Sequence, residues 1–410
     1  MHILFTAYEF VTEKKPCGGF GHYLANIATI LSQHNHRITI LILSNHNSNF
    51  EWKRNVLVIN FKYEYINSGL HIEKFIDKIL DTNISHYVNK SLAFKKKIEE
   101  INKYDKIDIV QHNGDHLECW HRHKKIPTVV RMSSFTPWCQ HAYNPKSDMN
   151  DLSWMESWNC KLFIYPLKKA DAVYGPSKCV AEFINPKLSN KIRNIESPFV
   201  LEDKNLDNML PKELMGKKYL LFFGRLCVLK GINTIIAAIY QILEENKDMY
   251  FVFAGNPEQR GFVQRILKAA GIYKSRVILY EEIKDKDIMQ AIVKNAFACV
   301  LPSRADNLPN SCIEAMGMGK VVIGSYGASF EQLIKNKKNG LLIKRDSANA
   351  LINAVRYLVS LSPEMKQEME KNAIDRIKDM NPEIIYEKVI DFYQSVINKK
   401  RKGILRLWEK

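Results

Sequence analysis

Short apolar runs alternate along this chain with longer stretches whose apolar positions recur every three or four residues, which predicts strands and helices in turn. Residues 2–7 read as a first strand, and Gly18, Gly19 and Gly21 follow in a loop. Residues 22–32 carry Tyr23, Leu24, Ile27, Ile30 and Leu31 at helical spacing. Runs at 37–43 and 56–61 predict two further strands, and 68–104 reads as polar helix with Lys- and Glu-rich faces. Short strands are predicted at 107–111, 127–132 and 172–175, with Ser177 placed to cap the next helix. Residues 133–160 are rich in aromatics (Trp138, Tyr143, Trp154, Trp158) without a clear period, and predict irregular structure.

The pattern fades over 199–218, where a linker is expected, and then restarts. Strands are predicted at 219–223, 250–254, 277–280, 298–302, 320–324 and 340–343, with helices at 231–244, 261–270 and 311–318 and a loop and helix over 283–295. Two runs of β-α alternation imply two doubly wound, Rossmann-like α/β domains, 1–198 and 199–383, facing each other across a cleft. Ligands of such sheets bind beyond the carboxyl ends of the strands, so the cleft is the expected site. There is no internal repeat or low-complexity tract.

Composition narrows the picture. A chain of 410 residues exceeds one ordinary domain, and 46% hydrophobic residues supply two cores. A net charge of +16 fits an anionic partner such as a nucleotide sugar or an acidic lipid surface, or simply a solvated basic surface. Neither a zinc finger nor an aromatic RNP run is present, so nucleic acid is not expected. Eight Cys without a CxxC read as reduced thiols of the cytoplasm. The N-terminus lacks the features of a signal peptide, and no window is long and apolar enough to span a membrane.

Candidate chemistry concentrates in the second half. Gly224 and Arg225 follow the strand at 219–223, with Lys230 and Gly231 a few residues on. Gly224 lets backbone approach a ligand, Arg225 offers a planar fork and Lys230 a mobile point charge. Asp306-Asn307-Leu308-Pro309-Asn310 then leads into a helix holding Glu314 among apolar Cys312, Ile313, Ala315 and Met316. Amides at that helix start and the two cations suit a diphosphate, and Glu314 suits ribose hydroxyls. In the first half, Gly18-Gly19-Phe20-Gly21 fails as a dinucleotide fingerprint, because Leu24 stands where its last glycine belongs. His112, Asp115 and His116 follow an apolar strand, and Arg131, Ser133 and Ser134 lie at the end of another, at an expected edge of the cleft. His112, His116, Cys119, His121 and His123 match no common zinc spacing, and Asp285-Lys286-Asp287 reads as a helix start rather than a metal motif.

The pattern G-R … K-G … D-N-L-P-N-S-x-x-E-A-M … G-x-x-x-E resembles the C-terminal domain of the family 4 retaining glycosyltransferases (group 1) of the GT-B fold. The resemblance implies that Arg225 and Lys230 bind the donor diphosphate and Glu314 the donor ribose. Asp306 stands for the first Glu of the family's E-x7-E pair, near the sugar, with a shorter reach. Gly19 falls in the family's glycine loop, which approaches the donor phosphates or the acceptor. Residues 1–198 would bind the acceptor and 199–383 the nucleotide sugar, while 384–410 would form a helix crossing back to the N-terminal domain. Arg225, Lys230 and Asp306 would carry catalysis. Gly224, Asn307, Leu308, Pro309 and Asn310 would complete the donor site, with Asn256, Glu282 and Ile283 near the base. The family needs no divalent metal, so neither metal nor cofactor is expected. A second departure is Ser133, where the family's P-x-V-V-x-x-H pattern carries His.

The function expected from all this is transfer of a sugar from a nucleoside diphosphate sugar, UDP favoured, to an acceptor hydroxyl. That acceptor would be a saccharide or lipid-linked saccharide of envelope polysaccharide synthesis. A sugar-nucleotide epimerase and a non-catalytic partner of similar architecture stay open as alternatives. The expected location is cytoplasmic. Lys399-Lys400-Arg401-Lys402 beside Ile404, Leu405, Leu407 and Trp408 adds the option of a peripheral contact with an anionic membrane.

Overall fold

The computed structural model describes residues 1–12, 18–63, 84–114, 118–143, 154–188, 191–200, 206, 208–259 and 261–408. The chain divides into two compact units. The first comprises Met1–Trp138, Asp148–Pro198 and Pro382–Lys410, and the second Cys139–Ser147 and Phe199–Asn381.

In the first unit the strands are β1 (His2–Ala7), β2 (Arg37–Ser44), β3 (Ser48–Lys53), β4 (Val56–Lys62), β5 (Ile109–Asn113), β6 (Thr128–Arg131), β7 (Ala172–Gly175) and β8 (Arg193–Asn194). They form one sheet in the order β3-β4-β2-β1-β5-β6-β7-β8, parallel except for the β3–β4 pair. Strand β1 is buried along its whole length, as a parallel strand covered on both faces must be. On one face Ile3, Phe5 and Val129 pack with Leu24 and Ile27 of the helix Gly19–Gln33, and with Val389 and Phe392 of the helix Pro382–Trp408. On the other, Leu4, Leu41 and Val110 pack against Phe94 and Ile98 of the helix Ile84–Tyr104.

The second unit holds β9 (Lys218–Phe223), β10 (Met249–Ala254), β11 (Val277–Tyr280), β12 (Ala298–Leu301), β13 (Val322–Ser325) and β14 (Leu341–Ile343). All pairs are parallel, in the order β11-β10-β9-β12-β13-β14. Leu220, Phe222 and Val300 face the helices Ile232–Glu245 and Ala348–Ser360 through Ile235, Ile239, Leu351 and Val355. Leu221, Phe223 and Cys299 face the helix Asn310–Gly317 through Cys312, Ile313 and Met316.

Some expectations need correction. Residues 133–160 are not wholly irregular: Thr136–Tyr143 is a helix opened by Pro137, and Trp154–Lys169 is another. The second buries Cys160, Ile164 and Leu167, an i, i+4, i+7 stripe that lies mostly past the stretch read as irregular. The edge strand β3 was too polar to read as a strand. Of the stretch at 199–218, Phe199 N donates to Met380 O at 2.9 Å and Leu214 is buried in the second unit's core, while residues 201–205 and 207 lie outside the described residues. Of the basic tail cluster, Lys400 pairs with Asp171 (2.7 and 3.0 Å) and Arg401 lies 3.8 Å from Asp108. Residues 68–83, Asp115, His116 and Cys17 lie outside the described residues, as do the side chains of Ile404, Leu405, Leu407 and Trp408. The seven described cysteines are free thiols. Among the described residues no helix is long and apolar enough to cross a membrane.

Candidate active site

Numbered within the second unit, the strand order runs 3-2-1-4-5-6. Chain direction across the sheet reverses between β9 and β12, and at such a switch point the two following connections diverge, leaving a crevice beyond the strands' carboxyl ends. Both segments singled out in the sequence emerge there, 224–231 after β9 and 303–309 after β12.

Backbone stitches the two loops together. Gly224 and Gly231 hold φ of 124° and 74°, in the left-handed range that favours glycine. A Cβ on Gly231 would lie 1.7 Å from Pro302 O, so only glycine lets the loops approach this closely. Arg304 N donates to Leu229 O at 2.8 Å. Lys230 Nζ then donates to Asp306 Oδ2 at 2.5 Å, joining a cation from one loop to a carboxylate from the other. Ser329 Oγ donates to Asp306 O at 2.8 Å, and Arg345 Nη1 donates to the carbonyls of Arg304 and Gly327, so residues after β13 and β14 hold the 304–306 backbone.

Arg225 is the more exposed cation, its side chain 59% accessible, and it meets Glu258 only loosely at 3.4 Å. Glu258 also accepts from Tyr143 OH at 3.0 Å. Burial, and then that bond to Glu258, push the Tyr143 phenol up to about 12. Arg304, almost fully buried, bonds Asp346 at 3.0 Å and the Ala142 carbonyl at 2.8 Å. Residues 142 and 143 thus join this site through contacts the sequence did not announce.

The helix Asn310–Gly317 begins at Pro309 with no side chain capping it, and its exposed first residue, Asn310, follows buried Leu308 and Pro309. Glu314 lies one turn in, half-buried between buried Ile313 and Ala315. Burial pushes its carboxyl up to about 7, only partly opposed by the Lys286 cation. Asn256 is exposed and its carbonyl accepts from Leu226 N at 2.9 Å; Ile283 is half-buried beside exposed Glu282. Arg225, Lys230, Asp306, Asn307, Asn310 and Glu314 therefore share one switch point. Asp285 caps the helix Lys286–Asn295 by accepting from Asp287 N and Ile288 N. Among the described residues no cluster of His, Cys, Asp and Glu is arranged to hold a metal.

The first unit arranges its candidates differently. Gly19 opens the helix Gly19–Gln33, but Glu9 already accepts from Gly18 N (3.1 Å) and Gly21 N (3.0 Å). His112 is buried, with Nδ1 3.0 Å from Thr6 Oγ1 and 3.6 Å from Glu118 Oε2. Glu118, also buried, accepts from the Thr6 hydroxyl and from Asn113 N at 3.0 Å. Arg131 is buried too, and donates to Ser133 Oγ at 2.7 Å; Ser134 beside it is half-buried. His112 shares the sheet face of Val110, whereas Arg131 shares that of Val129, so the two lie on opposite faces and do not form one acceptor cluster.

Two doubly wound α/β units in one chain are the architecture of the GT-B fold. Solved structures bear this out at the level of fold. The sucrose-phosphate synthase of Thermosynechococcus elongatus superposes with a TM-score of 0.73 at 17% identity, over 97% of this chain and 99% of that one. Anabaena HepE, solved in complex with UDP and glucose, gives 0.67 at 14% identity over 96% and 100%. In sequence, residues 208–376 match the family of glycosyl transferases group 1. An uncharacterized glycosyltransferase of Methanocaldococcus jannaschii is 26% identical over 222 residues, 52% of this chain and 55% of that protein. The chain spans about half the length of the curated relatives it matches.

Proposed function

We propose that the protein is a retaining glycosyltransferase that moves a sugar from a nucleoside diphosphate sugar to an acceptor hydroxyl without a metal. The observation that carries this reading is the Lys230–Asp306 pair across the β9/β12 switch point, with Arg225 on the loop after β9 and half-buried Glu314 in the helix after β12. Arg225, Lys230 and the amides at the start of the helix Asn310–Gly317 would hold the diphosphate, and Glu314 would accept from the ribose hydroxyls. The bond from the anomeric carbon to the diphosphate oxygen breaks while the cations stabilise the departing charge. The acceptor oxygen bonds to the anomeric carbon on the same face, and its proton passes to a diphosphate oxygen. No protein nucleophile is required, which accommodates Ser133 in place of His.

UDP is the favoured nucleotide, in keeping with the complex of Anabaena HepE with UDP and glucose. The acceptor class we favour is a saccharide or lipid-linked saccharide of envelope polysaccharide synthesis, met in the cytoplasm or at the membrane's inner face. The test is a panel of UDP- and GDP-sugars, followed for slow release of free sugar and for the anomeric configuration of the released product by NMR. Turnover of one donor with retained configuration, lost in Lys230→Ala, is expected. Inverted configuration would overturn the retaining mechanism, and turnover of none by folded protein would overturn the enzyme reading.

A further inference from the structure

Residues 344–347 join β14 to the helix Ala348–Ser360, and most of them are tied elsewhere in the second unit. Ser347 caps the helix, its Oγ accepting from Ala350 N at 3.2 Å. Asp346 holds a left-handed φ of 55°, and its Oδ2 accepts from Arg304 Nε at 3.0 Å. Arg345 is half-buried and places one nitrogen on two carbonyls. Its Nη1 donates to Arg304 O at 3.2 Å and to Gly327 O at 3.1 Å.

These contacts reach Asp306 from two directions. Arg304 is held through its backbone on both sides, its N donating to Leu229 O at 2.8 Å and its O accepting from Arg345. Leu229 directly precedes Lys230, so this junction sets the spacing of Lys230 and Asp306. Gly327 belongs to the turn whose Ser329 Oγ donates to Asp306 O at 2.8 Å. Ser329 holds φ of 64°, a left-handed conformation that a non-glycine residue keeps where its surroundings hold it. Arg345 contributes to that hold: a Cβ on Gly327 would lie 3.1 Å from its Cζ, so the guanidinium rests against the turn. A charged donor shared by two loops makes a stronger tie than a neutral one.

We propose that Arg345 is a positioning residue for Asp306. It joins the loops after β12 and β13 into one frame, and that frame presents the Asp306 carboxylate to Lys230 and to the donor sugar. That Asp306 serves turnover rests on the glycosyltransferase reading; that Arg345 sets the Lys230–Asp306 geometry does not.

The test is a double-mutant cycle of Arg345→Met and Asp306→Asn in the full chain, read in two ways. In turnover of a sugar donor, Arg345→Met is expected to lower kcat roughly tenfold to a hundredfold, with KM and UDP affinity near wild type. The double variant is expected to be no slower than Asp306→Asn alone, since a residue acting through Asp306 has nothing further to lose. Arg345→Lys keeps a charged donor within reach of a carbonyl and is expected to recover part of the loss. It also completes the cycle should Arg345→Met not fold. In thermal unfolding, Asp306→Asn is expected to shift the midpoint less in the Arg345→Met background than in wild type. That second readout needs no turnover. A folded wild type inactive towards every donor would therefore overturn the glycosyltransferase reading, and the unfolding cycle would still decide the proposal. Additive losses of kcat in the double variant, or equal midpoint shifts in the two backgrounds, would overturn it.

Discussion

The helix that follows β1 and the helix that follows β12 both start where a doubly wound sheet offers free amides, yet the chain treats them in opposite ways. At the first, Glu9 accepts from the amides of Gly18 and Gly21, so the positive end of the helix is already met by an anion of the chain itself. At the second, no side chain caps the helix, and the cations Lys230, paired with Asp306, and largely exposed Arg225 lie on the loop after β9. In the first unit, the Thr6 hydroxyl and Asn113 N both donate to Glu118 Oε2 in a buried cluster at the ends of β1 and β5. In the second, Glu314 is a half-buried carboxyl with no hydrogen-bond donor among the described residues and a raised pKa. The first helix start is met by a carboxylate of the chain itself, and the second by none among the described residues, which is the difference our proposed diphosphate site would use.

The comparison breaks most severely at Gly231. Gly231→Ala would force a Cβ to 1.7 Å from Pro302 O at a left-handed φ, so the loops after β9 and β12 must separate. A loss on the order of 3 kcal/mol or more is expected in the second unit's stability, together with nucleotide binding, by thermal and denaturant unfolding. Gly261→Ala, at a helical position with open space, is the control and should change little.

The next effect separates the two helix starts directly. Lys230→Ala and Arg225→Ala should each lose a charge-assisted contact worth roughly 1.5–3 kcal/mol, about 10- to 150-fold in nucleotide affinity by calorimetry. Glu9→Gln should leave that affinity unchanged. Equal losses in all three variants would erase the distinction between the sites.

A third effect is one of pH. The Glu314 carboxyl rises from its ordinary 4.5 to about 7 on folding, so the folded state holds the extra proton. Stability is then greatest at low pH on this account and falls as pH rises from 4.5 through 7, by on the order of 3 kcal/mol. Glu314→Gln should flatten that slope and unfold later than wild type at pH 8. The smallest effect is expected from Glu9→Ala, which frees two helix-start amides at a cost of about 1 kcal/mol in the first unit.

Legibility followed the same division. The second unit reads from its sequence because parallel strands covered on both faces are continuous apolar runs, and because the cations and Glu314 sit close to strand ends at 223 and 301. The contacts of Tyr143 with Glu258, and of Ala142 with Arg304, span 115 and 162 residues and carry no local signal. The glycine loop gave no hint that Glu9 would fold back onto it, because a carboxylate nine and twelve residues upstream has no periodic relation to Gly18 and Gly21. Period alone could place His112 and Arg131 at strand ends, but opposite sheet faces became evident only with the register of β5 and β6.

The central claim is that the β9/β12 switch point is a nucleotide-diphosphate site, and calorimetry of UDP and GDP at pH 7 tests it most directly. The account predicts micromolar binding of one nucleotide, with release of roughly half a proton as ribose hydroxyls stabilise the Glu314 carboxylate. Glu314→Gln should weaken that binding and abolish the release. Binding of neither nucleotide to the folded wild type, or the same affinity and proton release in the variant, would contradict it.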